Sequence, residues 1–213
     1  MKRPIVGALL VFVALPLSAQ RGRQASSSDP PYWVGLSYGY LDGLSFTDRD
    51  TRGSWQFSYA SQLRATVEKT LQRGATVGVA AGFTTANLVY LGDRLAVPNC
   101  ATTCPASADI TQYVAFVRSG GGTGIFPMWE LEAGITRFSN FRERTTGEAL
   151  PPRNVTNDFT FGFGPGIGYG ISPITSVYAA SQLDFVLHPQ DESAPVHSAP
   201  RLFSLRAGFR VGF

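Results

Sequence analysis

The sequence predicts an all-β fold: one eight-stranded antiparallel up-and-down transmembrane β-barrel with short periplasmic turns and longer extracellular loops. Three observations predict it. Large apolar residues alternate with small or polar ones at period two in segment after segment of the chain. The joins between these segments are alternately short and long. The chain opens on an export signal, yet no other apolar run approaches the roughly 18 residues that a membrane-spanning helix requires.

The N-terminus reads as a secretory signal over residues 1–19. Lys2 and Arg3 form the basic region, Ile5 to Leu17 an apolar stretch of about 13 residues, and Ser18-Ala19 the small residues of a cleavage point. Residues 20–31 are polar and Ser-rich, end in two prolines and bury nothing, so they form a flexible leader. Residues 32–213 make a single barrel domain. Glycine (23) and phenylalanine (15) are abundant and charged residues make up only 15%. Two of the three net positive charges belong to Lys2 and Arg3, so the barrel domain has no basic patch for nucleic acid.

The first strand, Tyr32–Leu41, sets Tyr32, Val34, Leu36, Tyr38 and Tyr40 against Gly35, Ser37 and Gly39. The second, Gln62–Leu71, sets Leu63, Ala65 and Val67 against Gln62, Arg64, Thr66 and Glu68, with Lys69 snorkelling beside the turn. The third, about Ala75–Tyr90, alternates cleanly to Phe83, and its phase breaks past Ala86. The fourth, about Ile110–Arg118, alternates weakly. The fifth, Phe126–Phe138, sets Trp129, Leu131, Ala133 and Ile135 against Glu130, Glu132, Gly134 and Thr136. The seventh, Thr175–His188, sets Val177, Ala179, Leu183, Phe185 and Leu187 against Ala180, Gln182, Asp184 and His188. The eighth, Arg201–Phe213, carries Phe203, Leu205, Ala207, Phe209, Val211 and Phe213 on one face.

The sixth strand, around Thr160–Gly170, has glycine at every second position from Gly162 to Gly170. Its spacing fits neither a dinucleotide fingerprint nor a phosphate loop, which need other intervals and a following helix. The glycines instead make one bare face, and in a narrow eight-stranded barrel they give room to long inward groups. Pro165 cannot donate to the ladder and predicts a bulge or kink. The turns after strands two, four and six are short; the segments at about 43–53, 91–109, 139–157 and 189–200 are long. Tyr32, Trp129, Tyr169 and Phe213 then fall near the short turns, and Tyr40, Phe138, Phe159 and Phe203 near the long loops, as interface aromatics do.

With the apolar face outward, Arg64, Glu68, Glu130, Glu132, Asp184, Arg206 and Arg210 point into the lumen, and Arg118 would balance their charge. Charges in a narrow lumen are costly unless paired. Near-neutrality favours an interlocked plug over a pore, whose selectivity ring would carry one sign. Cys100 and Cys104 lie in a long loop of an exported chain and predict a disulfide. The sequence calls for no cofactor or metal.

In these features the chain resembles the small outer-membrane β-barrels of the OmpA/OmpX/OmpW kind, the outer membrane protein beta-barrel domain family. Its sharpest match is the terminal polar–x–Gly–x–x–apolar–x–aromatic signal, met by Arg206, Gly208, Val211 and Phe213. The resemblance implies outer-membrane localisation in a Gram-negative-type bacterium, contact with membrane lipid and lipopolysaccharide, and recognition by the barrel-assembly machinery. A structural or surface-interaction role, with an extracellular ligand taken by the loops, is the leading expectation. A narrow channel or small-molecule conduit is the alternative. Some such barrels modify lipid A; His188 has Asp184 four residues back on the same face, but no hydroxyl stands two residues on and Pro189 breaks the strand, and His197-Ser198 lies in a loop beside Pro200, so no enzyme is expected.

Overall fold

A computed structural model describes residues 30–42, 44–48, 53–71, 74–91, 103–152, 155–188 and 201–213. The signal at 1–19, most of the leader, Cys100 and His197 lie outside the described residues. The described residues form ten strands: β1 (Tyr32–Leu41), β2 (Ser45–Thr47), β3 (Ser54–Phe57), β4 (Ala60–Thr70), β5 (Ala75–Leu91), β6 (Cys104–Ser119), β7 (Gly124–Glu143), β8 (Thr156–Ser172), β9 (Thr175–Leu187) and β10 (Arg201–Gly212). All pairings are antiparallel and the sheet closes, β1 pairing with both β4 and β10.

The short strands β2 and β3 form a hairpin that prolongs β1 and β4, with β3 continuing along β5. The barrel therefore has eight staves. A line of cross-strand partners runs from Val34 through Val67, Val79, Ala115, Ala133, Phe161 and Phe185 to Arg201. The β10–β1 register carries it back to the first stave at Leu44 rather than Val34. That stagger tilts the strands, as closure of eight strands demands.

Around the half of the barrel nearest the short turns, the wall is apolar outside. Val34, Leu63, Val79, Tyr113, Ile135, Phe161, Ile167 and Leu205 are each at least 37% exposed, which makes the apolar band continuous around the circumference. Inside the same staves lie the charged side chains.

Past this band the polarity inverts. Thr85 and Asn87 on β5, Asp109 and Thr111 on β6, Arg137 on β7 and Asn157 on β8 now face outward. The inside becomes an apolar core of Leu44, Trp55, Leu88, Tyr90, Ile110, Phe138, Phe141, Leu150, Val186 and Leu202. A barrel apolar outside and polar inside thus continues, on the same staves, as one with a largely polar outside, where Val89 and Leu91 remain exposed, and an apolar core inside.

This inversion corrects several sequence-based expectations. The alternation of β5 does not break at Ala86 but runs unbroken to Leu91; only the chemistry of the two faces exchanges. Much of what reads as loop at 91–109 and 139–157 is strand, since β6 begins at Cys104 and β7 reaches Glu143. Phe138 is not an interface aromatic: it points inward, fully buried, against Trp55 and Phe57. Nor does Pro165 cause a bulge. The β8–β9 register is the same on either side of it, at Phe163↔Leu183 and Gly166↔Ala180, with the pairing merely interrupted between. Its ring faces outward and its carbonyl accepts from Ser181 Oγ at 3.3 Å, so the missing donor costs one rung, not the register. The bulges lie elsewhere, next to the turn at Ser172 and opposite Ser107–Asp109, where Asn140 adopts φ 55°. Finally, Pro30 and Pro31 are tied to the wall rather than loose: their carbonyls accept from Thr70 Oγ1 at 2.5 Å and Thr70 N at 2.9 Å.

Candidate functional site

The lumen of the lower half is filled by a cross-barrel ion network. Glu130 on β7 is its hub. Oε1 of Glu130 accepts from Arg64 Nη2 on β4 at 3.0 Å and from Arg206 Nη2 on β10 at 2.6 Å. Oε2 accepts from Arg118 Nε on β6 at 2.9 Å. Arg64 also reaches Glu132 Oε2 at 2.6 Å. A second centre is Glu68 on β4, paired with Arg118 and, at 3.3 Å, with Arg210 on β10; Thr76 Oγ1 donates to it at 2.7 Å. All of these side chains are buried.

The sequence sets these contacts through the inward parity of each strand, and neighbouring small residues make them fit. Arg206 and Arg210 stand directly across from Gly39 and Gly35 on β1. A Cβ at Gly39 would overlap Arg206, whereas one at Gly35 would overlap Thr66 Oγ1 and only touch Arg210. Room for Arg206 thus comes from Gly39 of β1. The glycines of β8 serve other groups: Gly162 makes way for Asp184 and Gly168 for the Phe126 ring.

Arg118 completes the network. Its guanidinium lies between the Phe116 and Tyr178 rings, each 4.9 Å from the ring centroid, and Arg210 lies over Trp33 at 4.7 Å. Inward Phe116 is the reason β6 alternates weakly in sequence: an apolar ring occupies a polar face to support a cation. Asp184, predicted with the others, sits a layer away, 3.5 Å from Gln112 Nε2, which in turn joins Gln62 at 2.7 Å. Among the described residues, four inward arginines therefore share this part of the lumen with the carboxyl groups of Glu68, Glu130 and Glu132 and, a layer away, Asp184.

At the outer rim a different cluster locks the cap. His188, just beyond β9, holds Asp158 Oδ2 at 2.7 Å through Nδ1 and Asp48 Oδ1 at 3.0 Å through Nε2, with the Trp55 ring tilted against it at 5.3 Å. Burial alone would lower the His188 pKa, but the hydrogen bonds and charges of Asp158 and Asp48 outweigh it and raise it. Both nitrogens then donate, so the imidazolium ties the β2–β3 hairpin to β8 and β9. Asp48, 140 residues from His188, follows no spacing rule, and Asp184 is not its partner. On the exposed turn after β7, Glu143 accepts from the backbone amide of Thr145 at 2.8 Å and from Thr146 Oγ1 at 2.6 Å. These bonds hold its pKa at about 2.

The remaining sequence-predicted residues fall as follows. Gly208 faces inward opposite Ser37; Val211 and Phe213 face outward, Phe213 stacked on Tyr32 at 6.1 Å. Cys104 opens β6, is buried and is disulfide-bonded; Cys100 lies outside the described residues. Among the described residues, no group of three or more His, Cys, Asp or Glu is placed to hold a metal.

Two solved structures have this architecture. Neisserial surface protein A is similar with a TM-score of 0.57 at 13% identity, over 86% of this chain and 97% of that one. The outer membrane protein OprG from Pseudomonas aeruginosa is similar with a TM-score of 0.51 at 11% identity, over 87% of this chain and 97% of that one. No protein-family model and no curated protein matches the sequence. At these identities the likeness concerns the fold: the chain is a closed, eight-stranded antiparallel β-barrel of the kind found in outer-membrane proteins.

Proposed function

We propose that the chain is an integral outer-membrane β-barrel of a Gram-negative-type bacterium, exported by its N-terminal signal, whose lumen is closed by the ion network. Its role is structural or surface-interacting, and it presents a rigid β-extension and loops outside the cell. The observation that carries this reading is the inversion of polarity along single staves. A wall apolar outside and ion-paired inside suits hydrocarbon. The continuation, largely polar outside and apolar inside, suits water and stands on the long-loop side.

A conduit is disfavoured by the same interior, because arginines and carboxylates from four strands interlock across it. Catalysis by His188 is disfavoured because both ring nitrogens are engaged and the side chain is 0% exposed. Lipid and lipopolysaccharide are the partners of the band, the barrel-assembly machinery that of the C-terminal segment, and an extracellular ligand that of the loops.

Thiol labelling of intact cells tests the topology. A Thr146→Cys variant should react with a membrane-impermeant maleimide and an Ala133→Cys variant should not. The folded protein should migrate differently before and after boiling. Equal labelling at both positions, or unchanged migration, would count against a membrane barrel.

A further inference from the structure

Two adjoining hollows on the outer wall are not used by the lumen network. The upper one, a cavity of about 600 Å³, lies where the apolar band gives way to polar residues; Tyr38, Phe83, Tyr113, Asp109, Asn140 and Arg137 are among its lining. Its depth comes from a parting of the wall. β4 and β5 pair up to Leu63↔Phe83, β3 and β5 resume at Phe57↔Leu88, and in between Ser58 N donates to Asn87 O at 2.8 Å. The lower hollow, about 440 Å³, meets the upper at Tyr113. It exists because Ala65 and Ala81 are cross-strand partners, a low floor between Leu63↔Phe83 above and Val67↔Val79 below.

We infer that these hollows form one binding site for a phosphorylated glycolipid of the outer leaflet, with an acyl chain in the alanine-floored trough and the phosphorylated sugar in the upper cavity. This rests on the outer-membrane reading above. The chemistry of the upper cavity selects the ligand. Arg137 is exposed and has no carboxylate partner among the described residues, so it is free to take a phosphate. Tyr38, Phe83 and Tyr113 are each at least half or nearly half exposed and offer ring faces to a sugar.

Asp109 is held in place on both oxygens, by Thr85 Oγ1 at 2.7 Å and Asn140 Nδ2 at 2.6 Å. The αL conformation of Asn140, at φ 55°, brings that amide to the cavity. Carboxylate, amide and hydroxyls so fixed suit sugar hydroxyls. The lone pairs of Asp109 and the amide hydrogen of Asn140 that these two bonds leave over find more hydroxyls on a sugar than on a phospholipid headgroup. The trough then sits where a chain descending from that head would enter the apolar band.

The test uses the full-length protein in lipid nanodiscs containing lipid A and phosphatidylglycerol in equal amounts, with retained lipid read by native mass spectrometry. The wild type should keep one lipid A in preference to phosphatidylglycerol. Arg137→Gln, which removes the cation, and Ala81→Phe, which fills the trough with an apolar ring, should each lower lipid A retention about tenfold. Both variants should keep the heat-dependent gel migration of a folded barrel. Equal retention of the two lipids by the wild type, or unchanged retention in both variants, would overturn the site. A wild type that fails to insert into the bilayer would overturn the outer-membrane reading itself, a distinguishable result.

Discussion

Arg118 on β6 and Glu130 on β7 are direct cross-strand partners, and Nε and Nη2 of the arginine lie 2.9 and 2.8 Å from one oxygen of the glutamate with neither side chain exposed beyond 1%. The same arginine pairs with Glu68 on β4, so it links the two carboxylate centres of the lumen. Removing one member of a buried pair leaves its partners charged and uncompensated, which typically costs about 3–5 kcal/mol. Arg118→Leu should therefore lower the unfolding free energy by that order, measured by urea titration of the protein in lipid vesicles. A change below about 1 kcal/mol would show the network to be only loosely coupled.

The lower lumen is close-packed where β8 carries glycine. A Cβ at Gly168 would overlap the Phe126 ring, and overpacking of a filled interior costs about 1–3 kcal/mol. Gly168→Val should lower stability by this order in the same titration. A Gly147→Ala change, with open space around its position but φ 74°, should act only through backbone strain of about 1 kcal/mol.

The His188 anchor predicts a pH dependence of the cap. Its pKa is raised in the folded protein, so its contribution is complete below the ordinary value of about 6.5 and is lost as pH rises through the higher folded value. Amide hydrogen exchange in the β2–β3 hairpin, corrected for the intrinsic rate, should quicken as pH rises above about 6.5. His188→Gln should remove that dependence, whereas a hairpin equally protected as pH rises would show that the imidazolium does not hold it.

Phe213 is outward, stacked on Tyr32 and 67% exposed. Its loss removes little from the folded wall, so a Phe213 deletion should act on assembly: slower appearance of the heat-modifiable form in cells, with near-normal stability once folded. Normal insertion kinetics would argue against an assembly role for the C-terminal segment.

Much of the barrel is legible in the sequence because lipid-facing and lumen-facing residues must alternate strictly, so parity alone places Arg64, Glu68, Glu130, Glu132, Arg206 and Arg210 on one face. What parity cannot report is a change in which face meets water. Above Phe83 the pattern persists while its chemistry exchanges, so Leu88, Tyr90 and Ile110 read as a broken phase or as loop, although they line a core. Arg118 is less legible because Phe116 occupies the polar face beside it. Asp48 joins His188 only because the β2–β3 hairpin prolongs β1 and β4 to the level of the end of β9, a tertiary event with no local signal.

The central claim, a lumen closed by interlocked charge, is tested most directly by single-channel conductance of the purified, refolded protein in a planar bilayer, beside Arg206→Ala. Arg206 reaches Glu130 at 2.6 Å across the barrel, opposite the bare Gly39 position. The account predicts a silent wild type and a variant that conducts intermittently, because removing that guanidinium opens space beside Glu130, which keeps only Arg64 and Arg118. Steady conductance by the wild type would contradict it and make the same charges the lining of a pore.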